Sequence, residues 1–449
     1  MLASGALYFT PGEEALAREY AGSTTKTNPK LHQWLKARAR GEHYGEKPPD
    51  TVKCAGRIPH GFPVSEYAGG YWVARWAPGQ SAGPVTSKTS LPAACPSQTA
   101  FSLRPYQRAA LNGWYQRDHR AGGVMVQPCG AGKTMLGIHI AAHTPSPVLV
   151  LVNSDDLRRQ WAERFATNTD AQVVIWDNSK QVTGRVTIAT LQALHRLSWG
   201  ERWKMGAAHG LIIADECHRI PAVTFAEVMA SLPCRGRLGL TATPTRQDGL
   251  GDWINYICGP TAWVTAAADI EQAGAILKPK IRRVETQFQP TGSNWTKIIS
   301  SICQSDTRNA HIRALASQRV TRGGSVLILT DRVSHAQRLA EMIPDGVPFV
   351  GSMAKKRRRE VLKSLETGAA RVMCATTVAD EGLDLPRLDT VILTCPSKDV
   401  QKLEQRIGRI LRPHPEKLDP LVLDLVDDWG PAKGWARTRH NFYRRKGWA

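Results

Sequence analysis

The sequence of 449 residues predicts an α/β protein: two tandem parallel-sheet lobes preceded by a small N-terminal accessory domain. Three observations carry this expectation. Short, nearly continuous apolar runs alternate with helical or polar stretches, first from residue 124 to 240 and again from 325 to 425, as buried parallel strands with covering helices require. A glycine-rich loop follows the first strand of the first series and has no counterpart in the second. The stretch Pro78 to Ser97 is rich in Gly, Pro, Ser and Thr, a linker composition that sets the N-terminal segment apart. The expected divisions are residues 1–98, 99–275 and 276–449, with about 265–290 forming the join between the lobes.

Charge narrows the range of partners. Lysine and arginine outnumber the acids 59 to 39, a formal net charge of +20, which points to a polyanion. Nucleic acid fits better than a membrane, because neither a long apolar run nor a basic amphipathic anchor stands out. The opening M-L-A-S-G-A-L-Y-F-T lacks the charged start of a secretory leader. The nine cysteines show no metal-ligand spacing and read as reduced thiols of a cytoplasmic protein without a zinc site.

Residues 1–98 carry no catalytic signature. Glu13–Tyr20 and Leu31–Arg40 are expected helices, and Tyr71–Arg75 an expected strand. Lys36, Arg38 and Arg40 lie near Trp34, and Arg75 lies between Trp72 and Trp76. Such interleaving suits phosphate contact plus base stacking, and equally suits a small domain with a tryptophan core and solvated charges.

The first lobe opens at Phe101 with F-S-L-R-P-Y-Q, and a helix is expected from Arg104-Pro105 through Trp114. The amide of Gln107 has the donor and acceptor to read an adenine edge. The strand Val124–Val126 then leads into Q-P-C-G-A-G-K-T, residues Gln127, Pro128, Cys129, Gly130, Ala131, Gly132, Lys133 and Thr134, and a helix follows over Met135–Ala142. Glycines let backbone N–H groups turn onto a polyphosphate, and the helix N-terminus adds positive potential there. Lys133 can reach the β- and γ-phosphates, and the Thr134 hydroxyl can ligate Mg²⁺. Gln127 stands where the general pattern has glycine.

Five further strands are expected at Val148–Val152, Val173–Trp176, Val186–Ala189, Leu211–Ala214 and Arg237–Leu240. Ligands of such sheets sit at the carboxyl ends of the strands. The fourth run ends in Asp215-Glu216-Cys217-His218. There Asp215 can hold a metal and Glu216 can polarise an attacking water. The fifth ends in Thr241-Ala242-Thr243-Pro244, two hydroxyls able to sense the state of Asp215 and His218.

Q-P-C-G-A-G-K-T, D-E-C-H and T-A-T-P-T, in this order and spacing, resemble superfamily-2 helicases of the DEAD/DEAH class. L-R-P-Y-Q, V-L-V-L-V-N-S and R-Q-W narrow the resemblance to the xeroderma-pigmentosum group B and UvsW-type phage DNA helicases, over about residues 99–430. In that branch the position of Gln127 is commonly not glycine. The resemblance implies RecA-like lobes, with Arg104, Gln107 and the loop Gln127–Thr134 on ATP and Mg²⁺ held at Thr134 and Asp215. It implies backbone-phosphate contacts along Val148–Ser154 and at Thr190-Leu191-Gln192, with Asn153, Ser154, Thr190 and Gln192 the residues expected there. R-I-P-H-G-F, Arg57–Phe62, loosely resembles a turn of the N-terminal domains of such proteins, and Arg246-Gln247-Asp248 stands where repair relatives have Arg-Glu-Asp.

The second lobe is expected to use strands Ser325–Thr330, Val347–Val350, Val372–Ala375, Thr390–Leu393 and Leu421–Leu425, with the basic run Lys355–Arg359 as a solvated helix face. Ala375-Thr376-Thr377 and Glu381-Gly382-Leu383-Asp384 resemble helicase motif V, which implies Thr376 and Thr377 on nucleic-acid phosphate and Gly382 and Asp384 on the nucleotide. Q-R-I-G-R-I-L-R, Gln405–Arg412, resembles motif VI. At about 100° per residue a helix over this stretch puts Leu403, Ile407 and Ile410 on one face and Gln405, Arg409 and Arg412 on the other. An apolar side that packs and two arginines that face phosphate would supply the finger missing from the first lobe. The basic tail from Pro431, interleaved with Trp435, Phe442, Tyr443 and Trp448, suits a nucleic-acid contact or a helix packed back on the lobe.

The resulting expectation is an ATP-dependent helicase or translocase moving 3′ to 5′ on single-stranded, forked or branched DNA. Lys133, Asp215, Glu216, His218, Gln405, Arg409 and Arg412 are its catalytic candidates, and ATP is expected between the lobes. An RNA helicase and a nucleotide-switched adaptor are the alternatives, and oligomeric state is left open.

Overall fold

The computed structural model describes residues 97–116, 122–177, 184–219, 228–229, 231–234, 236–243, 252–292, 294–376 and 385–449, together with five short N-terminal strands. Those strands are β1 Ala6–Phe9, β2 Thr25–Thr27, β3 Thr51–Lys53, β4 Ser65–Tyr67 and β5 Gly70–Ala74. β5 corresponds to the expected strand at Tyr71, and it pairs antiparallel with β1 and β4, while β2 pairs with β3. The expected helices at Glu13 and Leu31, the turn Arg57–Phe62, the basic–aromatic residues around Trp34 and Trp76, and Arg246–Asp248 lie outside the described residues.

The chain divides into two compact units: the first ends at Ala266, and the body of the second is Ala267–Ala449. The helix Ala267–Gln272 therefore opens the second unit, ahead of the division expected after residue 275.

The first unit holds a seven-stranded sheet of β6 Gly123–Val126, β7 Val148–Val152, β8 Val173–Ile175, β9 Val186–Thr190, β10 Leu211–Asp215, β11 Gly236–Thr241 and β12 Thr261–Val264. Its order is β12-β6-β11-β10-β7-β9-β8, and every pairing is parallel. Side-chain alternation divides the core between the two faces. Val148, Val150 and Val152 pack with Trp161, Ile188 and Ile213 on one side, and Leu149 and Leu151 pack with Ile212 and Ala214 on the other. Both faces are apolar, so the strands read as continuous hydrophobic runs.

The second unit holds a six-stranded parallel sheet of β13 Lys280–Thr286, β14 Val326–Leu329, β15 Gly346–Phe349, β16 Val372–Ala375, β17 Thr390–Leu393 and β18 Leu421–Asp427, in the order β13-β18-β17-β14-β16-β15. β12 and β13 correct the expected join at 265–290: β12 ends just before it and β13 lies inside it. Both are edge strands, and β13, K-I-R-R-V-E-T, buries only Val284, so it lacks the apolar signature of a central strand.

The tail forms the helix Gly430–Arg445, packed on its own unit through Ala432, Ala436, Phe442 and Tyr443. Its Arg439 is buried and donates from Nε to both carboxylate oxygens of Asp424 at 3.0 Å. The run Lys355–Arg359 opens the helix Lys355–Thr367, with Lys356, Arg357 and Arg359 exposed as expected of a solvated face. Among the described residues no helix is long and apolar enough to cross a membrane.

Candidate active site and nucleic-acid interface

The glycine-rich loop bridges the carboxyl end of β6 and the helix Lys133–His143. Gly130 and Gly132 hold φ of +85° and +77°, the left-handed region that side chains with a Cβ avoid. At Gly132 space is short as well, because a Cβ would lie 2.6 Å from Nε2 of Gln107. No side chain caps the helix N-terminus, so its first N–H groups are available to an anion. Lys133 Nζ lies 3.4 Å from the Gln127 carbonyl oxygen and 3.9 Å from Oε1 of Glu216.

Gln107 stands on the helix Pro105–Gln116, is buried, and braces the loop. Its Nε2 donates to the Gly132 carbonyl at 3.3 Å, and its Oε1 accepts from the Arg104 N–H at 2.9 Å. The side chain expected to read adenine thus ties the start of its own helix to the phosphate loop. Gln127 is also buried. Its Nε2 donates to Thr265 Oγ1 at 3.5 Å, and its backbone N–H donates to the Thr241 carbonyl at 2.8 Å. A glycine at this position would leave that side-chain space empty.

Asp215 closes β10 and is buried. Oδ2 accepts from Trp161 Nε1 at 2.8 Å, and Oδ1 accepts from the Glu216 N–H at 3.0 Å. Burial, with the Glu216 charge second, pushes its pKa up to about 6. Such a desolvated carboxylate gains most from a cation. Glu216 takes a left-handed φ of 48°, a costly conformation for a non-glycine residue and one that clusters at functional sites. Its carboxylate then lies between Lys133 and His218, with Oε2 3.3 Å from His218 Nδ1.

His218 Nδ1 also meets Thr241 Oγ1 at 3.1 Å, so the end of β11 is linked to the acidic pair at the end of β10. The link runs through one hydroxyl rather than the expected two: Thr243 contributes its backbone, accepting from Thr241 Oγ1 at 3.0 Å and donating to it at 3.2 Å.

Trp161 was legible in R-Q-W only as a marker of resemblance, because a tryptophan in an amphipathic helix reads as core. It is core, and it also orients Asp215. Gly137 makes room for it, since a Cβ there would approach the indole ring to 2.7 Å.

Further along the sheet, β7 and β9 end at the residues expected to contact phosphate, Asn153-Ser154 and Thr190-Leu191-Gln192. Ser154 caps the helix Asp155–Asn168 by accepting from the Leu157 N–H, and Thr190 caps Leu191–His195 by accepting from the Ala193 N–H. Each hydroxyl keeps its own proton to donate. Gln192 Nε2 donates to the Asn153 carbonyl at 2.8 Å. The Asn153 side chain is buried, and among the described residues its Nδ2 and Oδ1 have no hydrogen-bond partner. A cavity of about 370 Å³ is lined by Asn153, Ser154, Thr190 and Gln192 and by charged residues not foreseen from the sequence, Arg158, Arg196, Asp155 and Asp177, with Arg158 paired to Asp155 at 3.0 Å.

In the second unit Thr376 follows β16 and is buried, its N–H 3.4 Å from the Phe349 carbonyl. Thr377, Gly382 and Asp384 lie outside the described residues. The expected helix over Gln405–Arg412 is corrected: the helix is Val400–Gly408. Arg409 and Ile410 continue as a turn whose N–H groups bond the carbonyls of Arg406 and Ile407, three residues back, at 3.3 and 3.0 Å. Glycine at 408 weakens the helix, and Pro413 disfavours helical backbone at Arg412. Leu403, Ile407 and Ile410 are buried as the pattern requires, while Gln405, Arg409 and Arg412 are half-buried.

Lys417 holds this turn. Its Nζ donates to the carbonyls of Arg412 at 2.7 Å, Ile410 at 2.8 Å and Pro386 at 3.2 Å. Burial pushes its pKa down to about 8.

Two parallel-sheet α/β units, one with a glycine-rich loop and an acidic pair at its strand ends, define a protein of two tandem RecA-like lobes. Residues 100–246 match the type III restriction enzyme, res subunit family, and residues 308–414 match the helicase conserved C-terminal domain. Among similar proteins, a putative ATP-dependent RNA helicase of Acanthamoeba polyphaga mimivirus is 26% identical, over 77% of this chain and 68% of its own length. A putative DNA 3′-5′ helicase of Halobacterium salinarum is 30% identical, over 71% and 53%, and the DNA 3′-5′ helicase XPB of Kineococcus radiotolerans is 27% identical, over 79% and 65%. The chain thus spans about half to two-thirds of these relatives. The Mycobacterium smegmatis helicase Lhr, solved with single-stranded DNA and AMP-PNP, shares the fold at a TM-score of 0.56 and 17% identity, covering 76% of this chain and 48% of that one. The chain carries these two matched domains and is similar to XPB-like helicases of superfamily 2.

Proposed function

We propose that the protein is an ATP-dependent DNA translocase and helicase moving 3′ to 5′ on single-stranded or branched DNA. The observation that carries this reading is the sequence of strand ends along one sheet. The phosphate loop after β6, Thr241 at β11 and Asp215-Glu216 at β10 occupy adjacent strands, and the polar cavity beyond β7 and β9, with two arginines and two aspartates in its wall, continues the same edge. A nucleotide site next to a strand site on one rigid sheet is what coupling of hydrolysis to movement requires.

In this reading Lys133 and the loop N–H groups hold the phosphates, and Arg104 and Gln107 border the base. Thr134 and Asp215 are the residues to hold Mg²⁺. The fit is supported by Asp215, a buried carboxylate whose two oxygens each accept one N–H bond and keep a lone pair. Magnesium, when bound, neutralises charge developing on the phosphates. Glu216 accepts the proton of the attacking water, with His218 and Thr241 relaying the state of the site. Arg409 and Arg412, with Gln405 beside them, serve the γ-phosphate, and Gly382 and Asp384 the nucleotide. Asn153, Ser154, Thr190, Gln192, Thr376 and Thr377 hold the strand by its phosphates, and residues 1–98 form an accessory domain for duplex or branched substrate.

The test is an ATPase assay against single-stranded, duplex, forked and Holliday-junction DNA, with matched RNA. A low basal rate, stimulation by DNA above RNA, and binding that falls steeply with salt are expected. A rate indifferent to every nucleic acid would end the motor reading. Stimulation by RNA alone would move it to the activity in the mimivirus relative's name.

A further inference from the structure

The second unit carries a group of tryptophans that no step above uses. Trp295 begins the helix Trp295–Gln304 and leaves 43% of its surface exposed. Trp435, from the helix Gly430–Arg445, meets it edge-on, with ring centroids 4.9 Å apart at 76°. Trp429 also lies against it, at 6.4 Å and 38°. The buried face of the Trp295–Gln304 helix is already filled: Ile299, Ile302 and Cys303 pack with Trp429 and Ala432. Trp295 is therefore not needed to complete that core. The Trp429 indole N–H is buried without a hydrogen-bond partner among the described residues.

Location indicates the occupant. Trp429 stands just past the carboxyl end of β18, Arg332 just past β14 and Thr376 just past β16. All three therefore lie along the strand-end edge on which a parallel sheet receives ligands. Arg332 leans on the start of the same helix, its guanidinium 3.5 Å from the Thr296 carbonyl. Lys297 and Arg437 are exposed two residues past Trp295 and Trp435; of the acids near in sequence, Asp428 beside Trp429 is paired with Lys433 at 2.6 Å, and Asp331 precedes Arg332. A tryptophan left 43% exposed on this edge, with arginine and lysine near in sequence, suits a nucleobase with its phosphates better than an apolar protein surface.

We propose that Trp295, braced edge-on by Trp435, is a stacking platform for one unpaired base of the bound strand, with Arg332 meeting a neighbouring phosphate. This rests on the nucleic-acid motor reading above. The test is fluorescence anisotropy with the full chain and two oligonucleotides of one length, an oligo-dT and a strand carrying abasic sites in place of its bases. Trp295→Ala should weaken oligo-dT binding roughly 5- to 100-fold, as loss of one base–aromatic stack does. Trp295→Phe should retain most of the affinity. The abasic strand should bind wild type and Trp295→Ala alike, and the salt dependence should keep its slope, because the phosphate contacts are unchanged. Equal affinity of Trp295→Ala and wild type for oligo-dT would overturn the platform alone, as would an equal loss on both strands. Failure of the wild type to bind either strand would overturn the motor reading, and the platform with it.

Discussion

Lys417 offers the sharpest test of how the second unit presents its arginines. Replacing it by methionine keeps the length of the side chain and removes three donated bonds, to the carbonyls of Arg412, Ile410 and Pro386. A bond from a charged donor contributes about 1.5–3 kcal/mol net. Water can take over part of this for a half-buried group, so a local loss of about 2–4 kcal/mol is expected rather than the sum of three. That suffices to free the turn Arg409–Arg412, whose helix already ends at Gly408. A misplacement of about 1 Å costs on the order of 10²-fold in rate, and complete loss of an arginine finger costs about 10³–10⁵-fold. Lys417→Met should therefore lower kcat about 10- to 100-fold, with little change in KM for ATP. Lys417→Arg should recover part of the loss, because it can still donate to the carbonyls. DNA-stimulated ATPase at pH 7, where the wild-type ammonium is mostly charged, measures this. An unchanged kcat in Lys417→Met would show that the bonded turn does not position the arginines.

Other outcomes follow from the same geometry. Lys133→Ala should weaken ATP binding, whereas Glu216→Gln should bind ATP and fail to turn it over, since an amide cannot take a proton from water; near-normal hydrolysis by Glu216→Gln in a single-turnover assay would contradict the mechanism. Arg409→Ala and Arg412→Ala should each cut turnover by orders of magnitude while nucleotide titrations stay near wild type, and lysine should rescue poorly because it lacks the planar fork. Normal hydrolysis in both would remove the second unit from the chemistry. His335 is buried, bonded to Thr330 Oγ1 at 2.6 Å and Asn309 Oδ1 at 2.9 Å, and burial, with Arg308 beside it, holds its pKa down to about 4. The unfolded chain takes up the proton first, so stability should fall as pH drops from about 6.5 to about 4, by up to about 3 kcal/mol, and should not depend on this group above about 6.5. Urea melts of wild type and His335→Gln across that range report it, and parallel curves would show that the histidine does not titrate in this way.

What could be read from the chain alone was whatever is contiguous in it. The strands β7, β10 and β16 are covered on both faces, so each is an uninterrupted apolar run, and the phosphate loop and acidic pair follow their strands directly. Their chemistry depends on neighbours within about two turns of chain. The edge strands β12 and β13 escaped for the converse reason: β13 is half solvated, so Lys280, Arg282 and Arg283 disguise it. The motif VI stretch was read as helix throughout because periodicity places side chains but does not say where a helix stops; Gly408 and Pro413 decide that locally.

Only the tertiary structure could supply partners that are distant in sequence. Trp161 reaches Asp215 across 54 residues and Thr265 reaches Gln127 across 138, and nothing in either local pattern announces the other. Burial, too, arises only on folding. Asp215 is an ordinary carboxylate in the unfolded chain and becomes a desolvated one, pushed up to about 6, when β10 is enclosed by its neighbours. The sequence alone determined which chemical groups stand at the strand ends; packing decided their charge, their orientation and, for Trp295, that a core residue type would be left facing solvent.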